Sequence, residues 1–182
     1  MQRYPRFRQK NSLLGILFVA GLFLIALSTI FFDSTFISDL LLLAIAIGFG
    51  ILITPFFKQF FNIYFLNPYN LGHIPIFLHA VYNSVSFGGT LVFLLLLSNE
   101  QWASPARKVV TTPVIAYGHD AKSKGSSCET PYVIIDYDGI EKKLPFGCGD
   151  SVEHSSAVRL ELQKGLWGFE VIAAQALVSN HW

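Results

Sequence analysis

Three apolar runs occupy the first half of this 182-residue chain, at about 13–32, 40–57 and 76–97. A helix rises 1.5 Å per residue, so about 20 residues cross the roughly 30 Å hydrocarbon core of a bilayer. Between residues 11 and 98 the only ionised side chains are Asp33, Asp39 and Lys58. The pattern predicts three transmembrane helices.

Residues 99–182 are different, with eight Lys/Arg and ten Asp/Glu. The chain therefore reads as a basic amino-terminal stretch (1–12), a three-span membrane part (13–97) and a water-soluble part (98–182). The net charge of +1 and the lack of a basic stripe exclude nucleic acid as a partner. The lipid bilayer is the first partner that the composition implies.

Arg3, Arg6, Arg8 and Lys10 precede the first run, and no acid accompanies them. A signal peptide begins the same way, with Ala26-Leu27-Ser28 as a loose cleavage site. The apolar run is longer than a signal sequence needs and continues through Phe31 and Phe32, which favours an uncleaved anchor. Residues 33–39 form a short acidic loop. Residues 58–75 combine Phe60, Phe61, Tyr64, Phe65 and Tyr69 with the breakers Asn67-Pro68 and Gly72, so an interfacial segment is expected there. Counting basic flanks places the amino terminus in the cytoplasm and residues 98–182 outside, in the periplasm of a bacterial inner membrane.

Two features of the spans bear on packing. In the second, Ala44/Gly48 and Ala46/Gly50 are spaced for close helix approach, within the protein or between two copies. In the third, His79, Asn83, Ser86 and Thr90 share one helical face. Polar groups in hydrocarbon must face protein or water, so this face should supply interhelical hydrogen bonds. A proton or ligand path through His79 is the functional alternative, although no span offers His79 a carboxylate partner.

The soluble part predicts a small antiparallel β domain of four or five strands, barrel- or sandwich-like. The clearest signal is Asp138-Gly139 between 132–137 and 140–146, a two-residue hairpin that sets Tyr137 opposite Ile140 and Val133 opposite Leu144. Residues 108–117 read as a strand that Pro113 assigns to an edge or a bulge. Residues 157–163 alternate strictly, with Val158, Leu160 and Leu162 on one face. Residues 166–172 read as a further strand with Trp167, Phe169 and Val171 together, and 173–182 as a short helix or last strand.

Cys128 and Cys148 both lie in this soluble part, and an oxidising compartment would let them form one bridge. A cysteine nucleophile at Gly147-Cys148-Gly149 near His154 competes with that reading, as does a metal site from His119, Cys128, Cys148 and His154. The bridge accounts for both cysteines, and the metal set lacks ligand spacing. No catalytic constellation, metal site or cofactor motif is expected. The expected role is non-enzymatic: a membrane anchor presenting an exported β domain that binds or stabilises another membrane or periplasmic protein, or a further copy of itself. Accessory, assembly and immunity-type proteins fall in this class. The Lys122/Lys124 loop and the Trp167 edge are candidate contact surfaces. A minor transport or proton-handling role for the His79–Thr90 face is the alternative.

Overall fold

A computed structural model of the chain describes residues 5–61, 76–121 and 128–179. The chain divides into two compact units. One comprises Met1–Thr29 and Asp39–Leu97, the other Ile30–Ser38 and Ser98–Trp182.

The first unit is helical. Helix α1 spans Pro5–Ser34 and α2 spans Asp39–Phe61, with Pro55 inside it. The third run is α3 (Ile76–Asn83), a π-helical turn (Ser84–Gly88) and α4 (Gly89–Gln101) in succession. Three of these stretches, Leu14–Ser34, Asp39–Phe57 and Phe77–Gln101, are long and apolar enough to cross a membrane. The helices therefore extend a few residues past the apolar runs at several ends. Most of the expected interfacial segment 58–75 lies outside the described residues.

The second unit is a five-stranded antiparallel sheet, ordered β3-β2-β1-β4-β5 and curled into a half-barrel. Its strands are β1 (Arg107–Asp120), β2 (Thr130–Tyr137), β3 (Ile140–Pro145), β4 (Ser155–Lys164) and β5 (Glu170–Ser179). The Asp138-Gly139 hairpin forms in the expected register, with Tyr137 opposite Ile140 and Val133 opposite Leu144. Both turn residues have positive φ, 53° and 76°, as a tight hairpin turn of this type requires.

Of the two alternatives for Pro113 the edge is overturned, because β1 is central, and the bulge fits the register shift just beyond it. The β1 residues up to Pro113 pair with β4, and those from Val114 onward pair with β2. Proline lacks an N–H, so it is tolerated where the strand changes partners and bends. A second expectation also needs correction: residues 166–169 are not strand. They turn the chain between β4 and β5, and the strand begins at Glu170. Residues 173–179 are its continuation.

Val158, Leu160 and Leu162 are buried as the alternation requires, against Val133, Ile135, Leu144 and Val152. Phe36, from the short connector after α1, joins the same core. This half-barrel is therefore assembled from two distant parts of the sequence.

Candidate functional site

In the helical unit the polar face of the third run is largely engaged in packing. His79, Asn83 and Ser86 are buried. Asn83 Nδ2 donates to Thr54 Oγ1 at 3.0 Å, and Thr54 Oγ1 donates to the Gly50 carbonyl at 2.7 Å. Tyr82, which stacks on Phe18, donates its hydroxyl to the Leu14 carbonyl. Thr90 is only half-buried and bonds back to the Ser86 carbonyl. Asn83 Oδ1 is buried and has no donor among the described residues.

The π turn inserts an extra residue into this face, with Gly89 N–H donating to the Ser84 carbonyl five residues back. Glycines hold it from two sides. A Cβ on Gly21 of α1 would lie 2.5 Å from the Val85 carbonyl oxygen, and one on Gly50 of α2 would lie 2.5 Å from Ser84 Cα. A Cβ on Gly88 would strike the Ala46 backbone. Of the two small-residue pairs in α2, Ala46/Gly50 is therefore the packed one. Ala44 and Gly48 are exposed, and Gly48 has nothing within 4 Å of a Cβ. Gly21 was not singled out by spacing, because it has no small partner four residues away.

The β unit holds a second polar arrangement that the sequence pattern did not flag. Lys142 is buried in β3, on the face shared with Leu144. Its ammonium donates to the carbonyls of Phe32 and Thr35 and lies 4.0 Å from the centre of the Phe32 ring. A cation on the last carbonyls of a helix satisfies acceptors that the helix cannot, and it meets the negative end of the helix dipole. On the other side of the connector, Thr35 bridges to Val171 of β5, and Phe36 N–H donates to the Glu170 carbonyl at 2.8 Å. The connector thus occupies one end of the seam between the two edge strands, β3 and β5.

Farther along, Gln175 Nε2 reaches across the same seam to the Pro145 carbonyl at 2.6 Å. An open groove of about 310 Å³ lies there, lined by Ile30, Leu144, Pro145, Ile172 and Ala174. Asp33 is the one ionisable group in the lining. Such a site can receive an extended apolar segment, but it holds no acid–base pair.

Cys128 and Cys148 are joined, with their Cα atoms 6.1 Å apart. Asp150 Oδ2 accepts from the Gly147 N–H and shapes the turn around Cys148. Among the described residues no three His, Cys, Asp or Glu side chains converge on a metal-sized site. The Lys122/Lys124 loop lies outside the described residues.

On the outer surface, Lys108 Nζ donates to Tyr137 Oη at 3.0 Å and lies 3.6 Å from Glu170 Oε1. The Tyr137 hydrogen bond, then the charge of Glu170, raise the lysine pKa above its usual value. For Tyr137 the lysine bond pulls the pKa down. A hydrogen bond to Glu170, partial burial and the Glu170 charge outweigh it, leaving the phenol raised. No family model, curated protein or solved structure matches the chain.

Proposed function

We propose that this is a non-enzymatic integral membrane protein of a bacterial inner membrane. It presents the β unit on the periplasmic side to bind or stabilise another envelope component. The observation that carries the reading is the seam between β3 and β5. The edges there are only partly filled by the chain's own connector, in a domain stapled by a disulfide. Unpaired edges accept an extended segment through main-chain hydrogen bonds, and an apolar groove selects its side chains.

Ser34 Oγ donates to Glu100 Oε2 at 2.8 Å, which brings the end of α1 beside the end of α4 and fits either direction of three crossings. The outward placement of the β unit draws its support from the basic amino-terminal flank and the cysteine bridge.

The test uses intact cells. A photo-crosslinking residue at Ala174, in the groove, should give one adduct of defined mass, and the same residue at Asp138 should give none. A membrane-impermeant thiol reagent should label the cysteines only after reduction. No adduct from Ala174, or identical adducts from both positions, would remove the binding role. Labelling only after lysis would place the domain in the cytoplasm.

A transport or proton-handling role has one observation in its favour, the buried Asn83 Oδ1 without a donor among the described residues. A proton flux into protein-containing vesicles that His79→Ala abolishes would establish it over the scaffold.

A further inference from the structure

The turn between β4 and β5 is held unusually firmly for a segment that exposes large apolar side chains. Asn99, fully buried near the end of α4, grips it at three points. The Asn99 carbonyl accepts from Leu166 N–H at 3.3 Å and its Oδ1 from Trp167 N–H at 3.0 Å, while its Nδ2 donates to the Phe169 carbonyl at 3.1 Å. Gly165 packs so closely on this amide that a Cβ there would collide with it. Gly168 has φ +91°, a value that suits glycine and sharpens the turn.

Despite this anchoring, Leu166 is 52% exposed and Trp167 58% exposed, and Trp102 is 65% exposed. Turns normally carry small or polar residues. Here a leucine and a tryptophan are fixed in an outward position, and they need a partner.

Their position relative to the apolar sequence indicates which partner. The third run ends at Leu97, and Trp167 Nε1 donates to the next side chain, Ser98 Oγ, at 2.8 Å. The indole N–H therefore lies at the level where the hydrocarbon-compatible sequence stops. Trp102 follows four residues later, about 6 Å along a helix axis at 1.5 Å per residue. That distance fits within the headgroup layer, whose thickness is about 5–8 Å on each side of the hydrocarbon core. Tryptophan concentrates at this depth because its ring is apolar and its N–H is polar. Lys164, exposed at the base of the turn, makes no ion pair among the described residues and can reach a lipid phosphate.

We propose that the β4–β5 turn is a membrane-docking element. Leu166, Trp167 and Trp102 enter the headgroup–acyl boundary around the exit of the third span, with Lys164 on the lipid phosphates. The occupant of this surface is lipid, not a protein. The inference rests on the third run being a span and does not depend on the proposed binding role or on the compartment.

The test is fluorescence depth measurement on the full chain in phosphatidylcholine vesicles containing some phosphatidylglycerol. The double variant W102F/W182F leaves Trp167 as sole emitter, and W167F/W182F leaves Trp102. Lipids brominated near the headgroup should quench both tryptophans more strongly than lipids brominated near the acyl terminus, and aqueous iodide should quench them weakly. Strong iodide quenching without lipid quenching would put the turn in water and overturn the proposal. So would resistance to both quenchers, which would mean that protein covers the turn. Neither failure would touch the groove adduct expected from Ala174, so this proposal and the binding role can fail separately.

Discussion

Lys142 Nζ lies 2.9 Å from the carbonyl oxygen of Thr35, a residue 107 positions earlier in the sequence. The contact joins β3 to the end of α1 and places a cation where helix carbonyls would otherwise be buried without donors. Removing one partner of such a buried bond typically costs about 1–3 kcal/mol, more when a charge is involved. Lys142→Met should therefore destabilise the protein by about 2–4 kcal/mol. Lys142→Arg should recover part of the loss. Thermal unfolding of the detergent-solubilised protein checks this, and an unchanged midpoint for Lys142→Met would contradict it.

The glycines of the helical unit should separate sharply by position. Gly50→Ala and Gly21→Ala place a methyl group within 2.5 Å of backbone atoms of the π turn. Each should destabilise the unit by about 1–3 kcal/mol through overpacking. Gly48→Ala meets open space and should be neutral or slightly stabilising, since alanine favours helix over glycine by about 1 kcal/mol. Unfolding in a graded denaturing detergent reads the difference. Equal effects at positions 48 and 50 would refute the packing described.

The disulfide makes its own prediction. The loop it closes spans 20 residues, for which a bridge contributes about 2–4 kcal/mol. Cys148→Ser should lower stability by that amount. Reductant should reproduce the loss in the wild type and leave the variant unaffected.

The Lys108–Tyr137–Glu170 group should show itself at alkaline pH. Both titrating groups have folded-state pKa values raised above their ordinary ones. Their contribution is therefore fully present below about pH 10 and is lost as pH rises through the raised values. Tyr137→Phe removes the phenol and its bond to Lys108, so the melting temperature of this variant should fall less steeply above about pH 10 than that of the wild type. Parallel curves would mean that the group contributes nothing to stability.

Much of this architecture is legible in the sequence, for identifiable reasons. Span length and charge depletion mark the three helices, and Asp138-Gly139 sets the hairpin register because few residue pairs accept two positive φ values. Strict alternation marks β4. The errors arise where a distant residue decides. The order Leu166, Trp167, Gly168, Phe169 alternates well enough to pass for a strand, yet Asn99, almost 70 residues earlier, holds these residues as a turn. Nothing in the order Ser84-Val85-Ser86-Phe87-Gly88 encodes a π turn, which glycines on two other helices accommodate. Lys142 is marked as interior only by the register that sets it beside Ile135. The aromatic ring over which its ammonium lies, Phe32, belongs to the first apolar run, which the sequence pattern assigns to the membrane half.

Because Phe36 sits in the core of a half-barrel whose strands begin only at Arg107, the β unit cannot be completed in the order in which the chain is synthesised. The connector emerges after α1, and α2, α3 and α4 are made before the strands that bury Phe36. Maturation is thus a ring closure, with the connector after α1 captured by the last strand through the Phe36 N–H bond to the Glu170 carbonyl. A fragment beginning at residue 98 would lack Phe36 and would leave Lys142 without its carbonyl acceptors, a barrel missing its plug. The folded β unit therefore requires both parts of the chain, the connector that carries Phe36 and the strands from Arg107 onward.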